Sequence, residues 1–258
     1  MSVLLKKIVI LLFVAVTIFV NFLANFLPIN GVTTGEISDS FPVYFVPAGY
    51  AFSIWGLIYI GLLIYSIVPL IKKDLNTQLI HKVFPWFAVS SVANIVWIFV
   101  WHYKLIEVTV LLMLVLLGSL IKIYIESNLR FEPKSMVESL VVRFPFSLYL
   151  GWISVATIAN VTILLYYIEW DGFGISGQVW SAILISVACL LALLFLIRAG
   201  DIVYSGVIVW ATLAIAVKFP SEEVIVGAVI CSTIVLISMM SYKAMDILRL
   251  QMSRHQKQ

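Results

Sequence analysis

The stretch WISVATIAN, Trp152 to Asn160, sets an indole and an amide eight residues apart with no charge between them. Extended on both sides it reads FPFSLYLGWISVATIANVTILLYYI, Phe144 to Ile168. An apolar run of this length is enough to cross a hydrocarbon layer of about 30 Å, and in lipid such a run closes its backbone hydrogen bonds as a helix. Working outward, charged or turn-forming breaks mark off eight such segments: 8–28, 46–71, 83–103, 105–125, 144–168, 178–198, 202–218 and 224–245. The whole chain agrees, since 63% of its 258 residues are hydrophobic and only 11% charged, with a mean hydropathy of +1.12. The expected fold is therefore all-α, a multi-pass bundle of about eight transmembrane helices.

The charges fix an orientation for that count. With both termini inside, the cytoplasmic segments hold Lys6, Lys7, Lys72, Lys73, Lys82, Lys122, Arg130, Lys134, Arg143, Arg198, Lys243, Arg249, Arg254 and Lys257. Only Lys104 and Lys218 fall outside, a bias that one span more or fewer would scramble. The expectation is a plasma-membrane protein with both termini cytoplasmic. The net charge of +3 follows from this topology and is spread over several segments, so no nucleic-acid partner is implied. The first apolar run exceeds a signal-peptide core and has no small-x-small cleavage site, so it reads as a retained helix.

Between spans, the loop INGVTTGEISDSFPVYF (29–45) is long enough to serve as a lid or as a solvated connector, two readings of equal weight. The connection 126–143, with both charge signs and Pro133, reads as a short interfacial helix or loop. Chemistry is thinly represented. Glu107, Arg143 and Lys218 fall at span ends, which argues against proton or sodium coupling. His81, His102 and His255 are scattered over loops and tail and read as surface residues, without metal-ligand spacing. Cys189 and Cys231 lie in spans as small apolar residues, Trp86 and Trp170 read as interfacial belt residues, and Glu169 and Asp171 share a solvated turn. No catalytic constellation, metal site or required cofactor emerges.

Three spans carry polar-tipped residues at helical spacing. Trp55 and Tyr59 are four apart after Pro47 and Gly49; Asn94, Trp97 and Trp101 follow at i, i+3 and i+7; Tyr149, Trp152, Ala156 and Asn160 form one stripe. An amide in hydrocarbon must find hydrogen-bond partners, so Asn94 and Asn160 are expected to face other helices or a polar-lined cavity, and Trp152 faces inward with Asn160. The pattern alone fits a helix-packing face as well as a ligand site.

WISVATIAN resembles the fifth-helix signature of the translocator protein / tryptophan-rich sensory protein family (TspO/MBR). ANIVW resembles its third-helix N-x-x-W, and PAGYAF followed by W-x-x-x-Y resembles its second-helix signature, in the family's order. The resemblance covers about residues 1–168, a five-helix unit, leaving 169–258 as three additional helices and a basic tail. It implies a pocket in which Trp55 and Trp152 flank a flat apolar ligand, with Tyr59, Asn94, Trp97, Ala156 and Asn160 lining or bracing it and Pro47, Gly49, Trp101 and Tyr149 secondary. Two departures stand out: one residue fewer separates Phe52 from Trp55 than in the family, and Leu148 replaces a proline, with Pro145 one turn earlier. After the fifth span no Lys or Arg completes a sterol pattern.

The expected function is binding of a flat, mostly apolar molecule, with a tetrapyrrole as the ligand class the family implies, for sensing, sequestration or transport. The alternatives are a transporter of a small neutral or amphipathic molecule without ion coupling, and a porphyrin-degrading enzyme; binding is favoured over catalysis. The expected partners are membrane lipid and that ligand, with a homodimer left open.

Overall fold

The computed structural model describes residues 1–27, 29–72, 77–129 and 136–255, with side chains there except at 77, 129 and 247–255. Of the residues used above, Lys73, Arg130, Pro133, Lys134 and Lys257, and the side chains of Arg249, Arg254 and His255, lie outside this description. The described residues contain helices and connecting turns and no strand. In chain order the α-helices are α1 (Val3–Phe26), α2 (Thr34–Asp39), α3 (Ile54–Ile71), α4 (Thr77–His102), α5 (Ile106–Tyr124), α6 (Met136–Glu138), α7 (Phe144–Tyr167), α8 (Gly177–Ala199), α9 (Ile202–Lys218) and α10 (Glu223–His255).

Seven helical segments are long and apolar enough to cross a membrane, and α9 is a shorter apolar helix of 17 residues. At 1.5 Å per residue α9 extends about 25 Å, slightly less than a hydrocarbon core. The eight expected spans thus correspond to α1, α3, α4, α5, α7, α8, α9 and α10. The connection between α5 and α7 is helical at both ends, through π-type turns at Ile125–Leu129 and Ser139–Arg143.

Local chemistry explains the starts and stops. Ser2 and Ser176 cap α1 and α8 by accepting from the amides of Leu5 and Val179. Pro145 sits in the first turn of α7, directly after the π-type turn Ser139–Arg143. Gly200 ends α8 in the left-handed conformation, φ 63°, and Asp201 immediately caps α9 by accepting from Tyr204 N at 3.0 Å. That carboxylate also accepts from Ser147 Oγ of α7 at 2.7 Å, tying the α8–α9 corner to the fifth span.

Five spans close on themselves: α1 packs against α3 and α4, α4 against α5, α5 against α7, and α7 returns to α3. Gly61 of α3 faces Pro145 of α7, where an added Cβ would lie 3.1 Å from the proline ring. Outside this ring α9 packs on α7, while α8 and α10 pack on α9 and on each other. Covered on several sides, α7 is the most buried of the spans. Its contact with α8 is sparse, which leaves a gap considered below.

Candidate functional site

At one end of the ring the 29–45 segment folds over the helices. Its α2 is held by a reciprocal cap in which Thr33 Oγ1 accepts from Glu36 N while the Glu36 carboxylate accepts from Thr33 N at 2.7 Å. Trp101 Nε1 donates to Thr34 O at 3.2 Å, and Phe41 packs between Trp101 and Tyr166. The lid reading of this loop, rather than the bare connector, is the one its structure fits.

Beneath α2 lies a small cavity of about 40 Å³ inside the five-helix ring. Trp55, Asn94, Trp97, Trp152, Ala156 and Asn160 all line it, as do Pro47 and Trp101. Three other residues named from sequence do not line it. Tyr59 stacks on Trp55 at 5.5 Å, buried Tyr149 meets Trp55 edge-on at 5.6 Å, and Gly49 opens a 3-10 turn with no neighbour near its Cα hydrogen. Side chains not singled out from sequence also reach the cavity: Phe52, Met113 and Leu116, and Thr34 and Ser38 from the lid.

Phe52 lies in the 3-10 turn Gly49–Ser53 and Trp55 in the first turn of α3, which starts at Ile54. Both rings face inward, and Trp152 meets each edge-on, Phe52 at 5.6 Å and Trp55 at 6.5 Å. On the opposite side Trp97 and Trp101 stack at 5.3 Å with their planes 16° apart. Trp97 Nε1 donates to Asn160 Oδ1 at 3.2 Å, and Asn160 Nδ2 donates back to Ala156 O at 2.9 Å. The amide eight residues after Trp152 thus orients an indole on another helix.

Asn94 has a different environment. Its Oδ1 accepts from Asn21 Nδ2 of α1 at 2.8 Å, while its own Nδ2 is buried with no hydrogen bond of normal geometry, the Tyr149 phenol being a neighbouring potential acceptor. Thr34 Oγ1, in the lid, is likewise buried and unpartnered. Two cavity-lining residues thus each carry a buried polar atom with unused hydrogen-bonding capacity, which is costly unless a partner satisfies it. Asn21 was not among the sequence candidates, although the rule that an intramembrane amide faces a partner applies to it equally.

The helices beyond the ring contribute to the site's frame. Ala214 O of α9 accepts from Ala48 N at 3.0 Å, and Trp210 Nε1 donates to Ala51 O at 3.2 Å, so α9 fixes the turn that aims Phe52 and Trp55. Lys218 at the end of α9 pairs with Asp39 at the end of α2.

His102 requires a correction. The break HYK suggested a surface histidine, but α4 continues through His102 and the side chain is fully buried. Nδ1 donates to Ile98 O at 2.7 Å, and Asn30 Nδ2 of the lid segment covers the helix end by donating to His102 O at 3.1 Å. Trp170 also differs from a plain belt residue, since its half-buried ring packs on Trp180 at 5.3 Å.

Together these features define a helical membrane protein built on a closed ring of five spans around an indole-walled, lidded cavity. A sequence profile of the TSPO-like protein family matches residues 7–242, and the chain belongs to that family. The match runs on through α8 and α9 into α10, beyond residue 168. No curated protein and no solved structure matches the chain.

Proposed function

We propose that this chain binds a flat, mostly apolar ligand carrying a hydrogen-bond acceptor, with a tetrapyrrole as the class implied by the family. The observation that carries this reading is an indole-lined cavity two of whose lining residues, Asn94 and Thr34, hold a buried polar atom with unused hydrogen-bonding capacity. A ligand carbonyl or carboxylate oxygen would satisfy the Asn94 amide. Trp152, Trp55 and Phe52 would supply ring faces, each stacking contact contributing about 0.5–1.5 kcal/mol beyond area burial.

At about 40 Å³ the closed cavity has room for only a few waters. A tetrapyrrole is accommodated when α2 lifts and the indoles turn, so the 29–45 lid is the gate of the proposed site. Basic residues such as Lys6, Lys7, Lys72 and Lys122 gather at the end away from the lid, which we read as the cytoplasmic side of a plasma membrane. The lidded mouth then faces outward, a geometry suited to sensing or sequestering an external ligand.

The test is a protoporphyrin titration of the protein in lipid nanodiscs, read by the porphyrin absorbance band. Saturable binding that weakens about tenfold in a folded Trp152→Phe variant, about 1.4 kcal/mol, supports the reading. Equal or unsaturable binding by both proteins overturns it.

A further inference from the structure

On the opposite face of α7 from the lidded cavity lies a much larger space of about 570 Å³, bounded by α7, the start of α8 and residues 42–45. It arises because α7 and α8 barely touch, α8 being held instead by α9 and α10. Along α7 it runs from Thr157 to Tyr166, about 14 Å at 1.5 Å per residue. Its volume lies within the range of small-molecule sites, roughly 300–1,000 Å³.

The lining changes in character along this length. Ile158, Val161 and Leu184 make the deep wall apolar, and Tyr44, Trp170 and Trp180 ring the mouth at the lid end. The mouth is braced: Trp180 Nε1 donates to Gly172 O at 2.9 Å, and Gln178 Nε2 donates to Tyr44 Oη at 3.0 Å. The hydroxyls of Thr157 and Thr162 are spent on the carbonyls of Ile153 and Ile158. Ser181 is the exception, because it borders the space, is 1% exposed as a residue, and its Oγ has no hydrogen-bond partner. A buried hydroxyl without a partner costs on the order of 1–3 kcal/mol, which an acceptor in the space removes.

Charge narrows the ligand. Asp171 is the charged residue in the lining, Glu169 is two residues before it, and the nearby Lys218 is already paired with Asp39. An anionic head would meet a carboxylate with no Lys or Arg among the described lining residues to offset it.

We propose that this space is a second binding site, for a neutral amphiphile whose acceptor group bonds Ser181 and whose hydrocarbon body lies between α7 and α8. The ester and glycerol hydroxyls of a monoacylglycerol have this chemistry, and the gap lets such a molecule enter sideways from the bilayer. The site is separate from the proposed tetrapyrrole cavity, with α7 as the wall between them.

The experiment uses the full chain in phosphatidylcholine nanodiscs and a monoacylglycerol bearing a diazirine in its acyl chain, with adducts mapped by peptide mass spectrometry after irradiation. The expected result is saturable labelling concentrated on 157–166 and 175–184, displaced by unlabelled monoolein and not by oleate. Ser181→Ala lowers subsaturating labelling about threefold or more, in keeping with one lost hydrogen bond. Val161→Trp, which fills the space, abolishes labelling while porphyrin binding persists. Labelling spread over all lipid-facing helices, displacement by oleate as strong as by monoolein, or full labelling of Val161→Trp would each overturn the proposal. The monoolein-against-oleate comparison needs no variant, so it decides even where a substitution prevents folding.

Discussion

Asn21 of α1 and Asn94 of α4, separated by 73 residues in the chain, meet amide to amide at 2.8 Å inside the five-helix ring. Asn21 Nδ2 also donates to Thr17 O at 2.9 Å, so its orientation is set by its own helix before it reaches Asn94. The contact therefore fixes which atom of Asn94 faces the cavity. Replacing Asn21 with Leu should leave Asn94 Oδ1 buried and unpaired, and free the amide to rotate. A double-mutant cycle with Asn94→Leu, read by thermal unfolding in detergent, is expected to give a coupling of about 0.6–2 kcal/mol, the range of interhelical hydrogen bonds in membranes. A coupling near zero would mean that the two amides are held independently.

Gly151 of α7 lies at a close approach between the ring and the outer helices. A Cβ added there would sit 2.9 Å from Val207 Cβ and 3.2 Å from Tyr204 O of α9. Gly151→Ala should thus push α9 from α7 and lower stability by about 1–3 kcal/mol, as overpacking does. Val207→Ala in the same protein should restore part of the loss. Because α9 holds the turn at Ala48 and Ala51, Gly151→Ala should also weaken ligand binding at Trp55 without touching the cavity. Stability and porphyrin affinity measured on the two variants test both parts.

Trp152, Asn94 and Asn160 were legible because helical spacing and the cost of a bare amide in lipid both depend on local sequence. Tyr59 and Tyr149 share stripes with Trp55 and Trp152, yet they do not line the cavity. On α7 the stripe cannot separate Tyr149 from Trp152, since that helix is covered on several sides and every face looks apolar. Thr34 and Ser38 reach the cavity only through the fold of the lid, which local spacing does not encode. The same holds for Trp210, whose indole meets Ala51 O across 159 residues of chain. His102 was misread because a polar tripeptide resembles a loop, whereas Asn30 caps the helix end there and lets α4 run on. The eight spans were readable throughout, because hydrocarbon imposes length and composition on every segment that crosses it.

Acid should loosen the lid through Glu36. Hydrogen bonds from the Thr33 amide, and next from its hydroxyl, hold the Glu36 carboxyl below the usual glutamate value. A carboxyl depressed on folding stabilises fully above its unfolded pKa and loses that contribution as pH falls through the lowered folded value. The protection factors of the Ile37 and Ser40 amides, corrected for intrinsic exchange, should therefore be flat from pH 7 to about 5 and drop in more acidic solution. In Glu36→Gln they should be lower at neutral pH and nearly independent of acid. A drop of the same size in that variant would assign the acid effect to another group.

The last prediction concerns the pair at the rim, Lys218 of α9 and Asp39 of α2. Both side chains are partly exposed, so the pair should contribute little to global stability, about 0–1 kcal/mol, and weaken with salt. Its place at the end of the lid helix gives it a kinetic role if α2 lifts to admit ligand. Asp39→Asn should then raise the association and dissociation rates of protoporphyrin together, by about twofold to fivefold at low ionic strength, with the equilibrium affinity nearly unchanged. At about 1 M salt, where the Debye length falls to about 3 Å, the native protein and the variant should converge. Stopped-flow traces at the two ionic strengths decide the matter: an affinity change without a rate change would place Asp39 in ligand contact, and unchanged rates would mean that the ligand passes by a route other than the α2 lid.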